Sequence, residues 1–213
     1  MSLEVLLFDA YGTLWDVHSV MKRCESCWPG KGMQVSHVWR AKQLEATWLR
    51  SLMGRYVPFS TVTREALAFA CESLQLSLQP DHESELMAAY RKLTPFPDVA
   101  DAIMRKPAPK TGILSNGSPD MLDPLVKHSG LKFDAVLSVD AVKVFKPAPQ
   151  VYQLAVEKFG VPKERIGFVT SNFWDAAGAK SFGFVVHWIN RAGAVPERLG
   201  FQPDRILRSL AEL

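Results

Sequence analysis

Residues 5–13 read Val5-Leu6-Leu7-Phe8-Asp9-Ala10-Tyr11-Gly12-Thr13. Four uninterrupted apolar residues that end in a carboxylate and a glycine turn describe a buried strand of a parallel sheet, with Asp9 delivered to its rim. In open α/β sheets ligands bind at that carboxyl rim. A carboxylate there can ligate a metal, act as a general base or serve as a covalent nucleophile. It can equally be a strand-end turn residue. Two positions after Asp9 stands Tyr11, so no second carboxylate is offered at that spacing to protonate a leaving group.

Similar β-rich runs recur at residues 111–114, 135–139, 166–170 and 184–188. Helical stretches lie between the later ones, at residues 119–129, 149–159 and 175–182, each closed by a glycine (Gly130, Gly160, Gly183). This alternation predicts βαβ units and a parallel sheet. The segment from Trp15 to Leu93 breaks the rhythm with helical patterns at 36–53, 61–74 and 82–93 and no convincing strand. In the first of these, Val38, Leu44, Trp48, Leu49 and Leu52 recur at three- and four-residue steps and define an amphipathic face. The expected architecture is an α/β fold with a Rossmann-like parallel sheet core, residues 1–14 and 94–213. An all-helical cap, residues 15–93, is inserted after the first strand, where it would close over the rim and exclude water from Asp9.

At 213 residues, 47% hydrophobic and 22% charged, the chain has an ordinary globular composition and enough length for a full core with a smaller lobe. The net charge of +3, without any run of Lys or Arg, argues against a nucleic-acid partner and suits small anions. Met1-Ser2-Leu3-Glu4 carries no basic stretch and the apolar run after it ends at Asp9, so no signal peptide and no membrane span are predicted and the expected location is cytoplasmic. Three cysteines, Cys24, Cys27 and Cys71, do not make a disulfide framework. Cys24 and Cys27 have C-x-x-C spacing, but no further metal ligand follows at motif spacing; reduced thiols packed on a helix are expected.

Three other strand ends carry chemistry-bearing residues. Ser115-Asn116-Gly117-Ser118 is a polar turn whose glycine lets backbone N–H groups point at an anion, or a plain helix N-cap turn. In Lys143-Val144-Phe145-Lys146-Pro147, the proline pushes Lys146 towards an extended conformation. Thr170-Ser171-Asn172-Phe173-Trp174-Asp175 is dense in hydrogen-bonding groups, and Asp175 suits the first turn of the following helix.

In this order, Asp9-x-Tyr11-Gly12-Thr13, Ser115-Asn116-Gly117, Lys146-Pro147 and Ser171-Asn172-x-Trp174-Asp175 resemble the haloacid dehalogenase superfamily. The stretch from Phe8 to Val20, Trp39-Arg40-x-Lys42-Gln43-Leu44-Glu45, Lys146-Pro147-x-Pro149-x-Val151-Tyr152 and Trp188-Ile189-Asn190-Arg191 look most like its L-2-haloacid dehalogenase branch. Phosphatases of the superfamily carry a second Asp where this chain has Tyr11 and another, for Mg²⁺, where it has Ser171. A halide leaves as a stable anion and needs no acid, which agrees with both absences.

The resemblance implies a cofactor-free, metal-free hydrolase that converts small L-2-haloalkanoic acids to D-2-hydroxy acids through an aspartyl ester, with inversion. Asp9 would be the nucleophile and Lys146 the cation that keeps it ionised. Ser115 and the N–H groups of Ala10 and Tyr11 would hold the substrate carboxylate, and Arg40 with Asn116 the halide. Thr13, Tyr152, Thr170, Ser171, Asn172 and Asp175 match positions that order Asp9, Lys146 and the hydrolytic water. Leu44, Phe59 and Trp174 would border the substrate, and Phe59, Trp174 and Trp15 can equally be core residues. The implied partners are a small 2-haloacid and a second copy of the chain, with no nucleic acid and no membrane. Two rivals stand beside this reading: a Mg²⁺-dependent phosphatase on the same fold, against which Tyr11 and Ser171 count, and an idle homologue that binds small carboxylates, against which the filled charged positions count.

Overall fold

A computed structural model of the chain describes residues 2–105 and 107–213. Strand β1 (Val5–Phe8) is buried along its whole length and runs into a turn at Gly12, whose φ of +87° a side chain would strain. Helices α1 (Met21–Cys27), α2 (Gly32–Leu52), α3 (Phe59–Ser73) and α4 (Pro80–Tyr90) follow. The chain then returns to where it left: Asp16 N donates to Thr94 O at 2.9 Å and Phe96 N to Leu14 O at 3.0 Å. From there the order is α5 (Val99–Met104), β2 (Lys110–Ser115), α6 (Pro119–Ser129), β3 (Ala135–Ser138), α7 (Pro149–Phe159), β4 (Ile166–Thr170), α8 (Phe173–Phe182), β5 (Val185–Ile189) and β6 (Arg205–Leu207).

The six strands form one sheet in the order β3-β2-β1-β4-β5-β6, and every pairing is parallel. Strand β1 lies between β2 (Phe8 opposite Ile113) and β4 (Phe8 opposite Val169). Successive strands are laid to one side of β1 and then to the other, so the crevice beyond its carboxyl end is the topological switch point of the sheet. Asp9, Ser115 and Thr170 therefore emerge side by side.

All five expected strands are present, within a residue or two of their expected ends. Strand β6 was not foreseen: it has three residues, lies at the sheet edge and exposes Arg205 and Ile206, so it carries no apolar pattern. Helices α6 and α7 have the expected ends, while α8 starts two residues before Asp175, at Phe173. Helices α1 and α5, seven and six residues long, are too short for a 3.6-residue period to show. Cys24 and Cys27 do sit on α1, and they and Cys71 are free thiols.

Helix α2 departs most from expectation. Its buried side chains are Val35, Ser36, Trp39, Gln43 and Thr47, whereas Leu49 and Leu52 are exposed, Leu52 by 85%. At about 100° per residue, the apolar stripe read from the sequence lies on the face opposite the buried one. The buried face packs on α3: Trp39 Nε1 donates to Thr63 O at 2.7 Å, and Gln43 Nε2 to Thr63 Oγ1 at 2.7 Å. Trp39 and Gln43 each have a hydrogen-bond partner across this seam, which removes most of the cost of burying them.

Helix α8 comes unusually close to the β3–α7 connection. A Cβ built on Gly178 would stand 2.5 Å from Pro147 Cβ and 2.6 Å from the Tyr152 hydroxyl. Gly178→Ala is therefore expected to lose about 1–3 kcal/mol of stability, the usual cost of overpacking, as read by urea unfolding. A wild-type midpoint would show that the two elements have room to separate.

Candidate active site

The groups that hold Asp9 come from the end of β4 and from the segments that follow β1, β3 and β4. Asp9 follows β1 and is 6% exposed; Lys146, from the β3–α7 connection, is 1% exposed; Asp175, in the first turn of α8, is fully buried. Lys146 Nζ lies 3.2 Å from Asp9 Oδ1 and 2.9 Å from Asp175 Oδ2. The Lys146 ammonium also stands over the Phe168 ring, 4.7 Å from its centroid, a cation–π contact. Tyr152, on α7, donates its hydroxyl to Asp175 Oδ1 at 2.7 Å.

The two oxygens of Asp9 are treated differently. Oδ2 accepts from Asn172 Nδ2 at 2.8 Å, Thr13 Oγ1 at 3.0 Å and Thr170 Oγ1 at 3.4 Å. Oδ1 accepts only from Lys146 and keeps lone-pair capacity for a further partner. Thr13 is itself anchored, since its oxygen accepts from Ser171 N at 2.8 Å. The Ser171 hydroxyl donates to Gly12 O at 2.6 Å, so the 3.2 Å approach of the Thr13 and Ser171 oxygens has no proton left to share. Trp188 Nε1 donates to Ser171 O at 3.1 Å and fixes the β4–α8 turn from β5.

One ammonium is thus buried with two carboxylates, a surplus of one negative charge. Burial penalises that surplus first and the Asp9 charge adds to it; against both, Lys146 pulls the other way, and the Asp175 carboxyl ends up at about 6, from an ordinary 3.8. For Lys146, burial favours the neutral amine, but Asp175 and Asp9 more than offset it and its pKa is raised, so the ammonium stays charged. The Tyr152 phenol is raised well above its ordinary value by burial and by the Asp175 charge, which keeps it a donor.

The remaining sequence candidates do not touch Asp9 through a side-chain hydrogen bond. The Ser115 oxygen accepts from Gly117 N at 3.0 Å, which leaves its proton free. Asn116 Oδ1 accepts from Lys146 N at 2.9 Å, so its amide NH₂ faces away as an unused donor pair. Among the described residues, the Ala10 and Tyr11 N–H groups donate to no protein acceptor. These three features leave donors suited to an anion beside Asp9. The Tyr11 ring packs on Phe59 (5.5 Å) and Tyr90 (6.2 Å). Its buried phenol has no partner and is raised by burial first, then by Tyr90 and Asp120, while Arg40 acts in the opposite sense and Asp9 in the same sense. Arg40 projects from α2 with Nη1 on Gln43 Oε1 at 2.7 Å. Trp174 meets Trp48 of α2 edge to face at 5.5 Å, and Leu44 is half-buried on α2. Trp15 is wholly buried, as core packing requires.

Residues 3–183 match the family described as hydrolase, haloacid dehalogenase-like hydrolase. The chain belongs to the haloacid dehalogenase-like hydrolase family. It is 49% identical over 218 residues to the (S)-2-haloacid dehalogenase of Pseudomonas sp. (strain YL), covering 99% of this chain and 94% of that one. It is 48% identical over 216 residues to an (S)-2-haloacid dehalogenase of Pseudomonas putida, covering 100% and 95%. The L-2-haloacid dehalogenase of Xanthobacter autotrophicus, solved with chloropropionic acid covalently bound, superposes with a TM-score of 0.93 at 41% identity, covering 99% of this chain and 96% of that one. Family membership came through in the motifs at the strand ends. Phe168 beneath Lys146 gave no such signal, being an ordinary strand aromatic, and Gln43 was legible as part of the Trp39–Glu45 stretch but not as the partner of Arg40.

Because the folded value of Asp175 lies above 3.8, the folded protein holds that proton more tightly than the unfolded chain does. The stability tied to Asp175 is full below about pH 4 and is lost as pH rises through about 6. Asp175→Asn removes this titration. The unfolding free energy of the variant, relative to the native chain, should rise by on the order of 2–3 kcal/mol between about pH 4 and pH 6 and then level off. Urea unfolding of both proteins across that range reads the difference, and a flat difference would mean that Asp175 is not the surplus charge.

Proposed function

We propose that the protein is an (S)-2-haloacid dehalogenase that hydrolyses small L-2-haloalkanoic acids to D-2-hydroxy acids through an ester on Asp9. One observation carries the reading. The Asp9 carboxylate has one oxygen held by three donors and the other facing only an ammonium, in a chain 49% identical over nearly its whole length to an (S)-2-haloacid dehalogenase.

The two oxygens divide the work. Oδ1 attacks C2 of the substrate, and the halide leaves with the C–X electron pair, inverting the carbon. Oδ2 is then the carbonyl oxygen of the aspartyl ester. Water attacks the carbonyl carbon, and the negative charge that develops on Oδ2 is met by the donors already aimed at it from Asn172, Thr13 and Thr170. Cleavage of the ester releases the hydroxy acid with the original Oδ1, and water supplies the oxygen that restores Asp9. Lys146 pairs with Asp9 Oδ1 at 3.2 Å; Ser171 positions Thr13, while Tyr152 and Asp175 fix Lys146. The free N–H groups of Ala10 and Tyr11 and the Ser115 hydroxyl take the substrate carboxylate. Arg40 and the amide of Asn116 take the halide, and Leu44, Phe59 and Trp174 border the alkyl group. None of these steps draws on a cofactor or metal.

We assign residues 1–14 and 94–213 to the catalytic core and 15–93 to a helical cap, a division supported by the paired crossing at Asp16–Thr94 and Leu14–Phe96. The protein works as a homodimer, with the exposed apolar stripe of Leu49 and Leu52 on α2 and Phe69 on α3 as the contact. A cytoplasmic location fits the free thiols. No helix among the described residues is long and apolar enough to cross a membrane, and with a net charge of +3 no nucleic-acid partner is proposed.

A single turnover of 2-chloropropionate in H₂¹⁸O, with enzyme in excess, tests the ester. It should give unlabelled lactate and place ¹⁸O in Asp9; label in the first-turnover product would make Asp9 a base rather than the nucleophile. Light scattering of Leu52→Glu tests the dimer, and the variant should run as a monomer. A dimer undisturbed by that change would move the contact elsewhere.

A further inference from the structure

The buried face of α2 is polar at its centre, and that departure from an ordinary helix seam needs a physical reason. Gln43 is fully buried between α2 and α3. Its neighbours leave only one arrangement of its amide. Arg40 has no acceptor, so the group 2.7 Å from Arg40 Nη1 is the Gln43 carbonyl oxygen. The Gln43 NH₂ then donates to Thr63 Oγ1 at 2.7 Å. The Thr63 hydroxyl in turn donates to Phe59 O at 2.7 Å, so its oxygen is free to accept from Gln43. Every proton in the series Arg40, Gln43, Thr63, Phe59 O points the same way, and the series ends on the backbone of α3.

From this geometry we infer that Gln43 is a positioning residue: it holds the Arg40 guanidinium in register with the halide site while leaving its full charge available. The choice of an amide rather than a carboxylate is what makes this useful. A glutamate at the same place would also accept from Arg40, but it could not donate to Thr63 and would form a buried ion pair that cancels the field a departing anion requires. Among the described residues no carboxylate lies within 4.0 Å of Arg40. Without the Gln43 carbonyl, a four-carbon-long side chain on one helix face would recover its rotamer freedom, and the charge would no longer meet the halide at a fixed distance. The role matters only as C–X bond cleavage proceeds, so it acts on the transition state rather than on substrate binding.

The inference rests on the reading of Arg40 as the halide group. It is tested by kcat/KM, which reports the steps up to halide loss, for 2-chloropropionate and its heavier-halide analogue 2-bromopropionate, on the native protein and on Gln43→Leu and Gln43→Glu. Both variants should lose at least about tenfold in kcat/KM for the chloride, the scale of a misplaced charge-stabilising donor. Both should lose several-fold less for the bromide, a better leaving group that leans less on the guanidinium. Gln43→Glu matches the native side chain in size and retains an acceptor for Arg40, and a packing defect alone would slow both substrates alike, so the bromide-to-chloride ratio separates loss of the Arg40 field from loss of packing. Native rates in Gln43→Glu, or an unchanged bromide-to-chloride ratio in Gln43→Leu, would overturn the inference while leaving the dehalogenase reading intact. A native protein that releases no halide from either substrate would overturn both.

Discussion

The structure turns on one ammonium shared by two buried carboxylates. Lys146 is brought to Asp9 and Asp175 by three segments far apart in sequence, and water is almost absent from all three side chains. Buried ions are stable only when geometry and hydrogen bonds replace the lost solvent. Around this triad the replacements come from Tyr152, Thr13, Thr170, Asn172 and the Phe168 ring. Each stands at or near the carboxyl end of a strand or on the helix that follows. The parallel sheet therefore does more than carry the site: its register sets which donors reach which oxygen, and the close seat of Gly178 against Pro147 and Tyr152 holds the cation's own segment in place.

Most of this was legible in the chain because the same residues serve packing and chemistry. Apolar runs ending in Asp9, Ser115 and Thr170 announce both a buried strand and its functional tip, and Gly130, Gly160 and Gly183, all with positive φ, end helices where expected. What was not legible has physical causes. Three-residue β6 and the short α1 and α5 hold too few side chains for a period to appear. Helix α2 misled for a deeper reason. Hydrophobic periodicity assumes that the apolar stripe is the buried one, whereas here the seam with α3 is closed by Trp39, Gln43 and Thr47, each satisfied by a hydrogen bond. The apolar stripe of Leu49 and Leu52 faces outward. A helix whose buried seam is hydrogen-bonded cannot be read from its oily residues alone.

In the proposed reaction the asymmetry of the Asp9 oxygens also links the two chemical stages. The donors on Oδ2 are already in place before any ester exists, so the second stage needs no rearrangement of the strand ends. Preorganisation of this kind is inexpensive because Thr13, Thr170 and Asn172 are themselves tied to backbone or to one another: Thr13 accepts from Ser171 N, and Thr170 accepts from Asn172 N at 3.1 Å.

The chain enters and leaves the helical segment through one doorway, where Asp16 bonds Thr94 and Phe96 bonds Leu14. Two ends that already touch need no long loop to be joined, so the entropy of closing the chain across that gap is small. The sheet's path is complete without the 77 or so residues between them, roughly the size of a small domain. An insertion seated this way can be lengthened, exchanged or reshaped without disturbing the strands beneath it. Asp9 and Lys146 can thus keep their places at the strand ends whatever stands between Asp16 and Thr94.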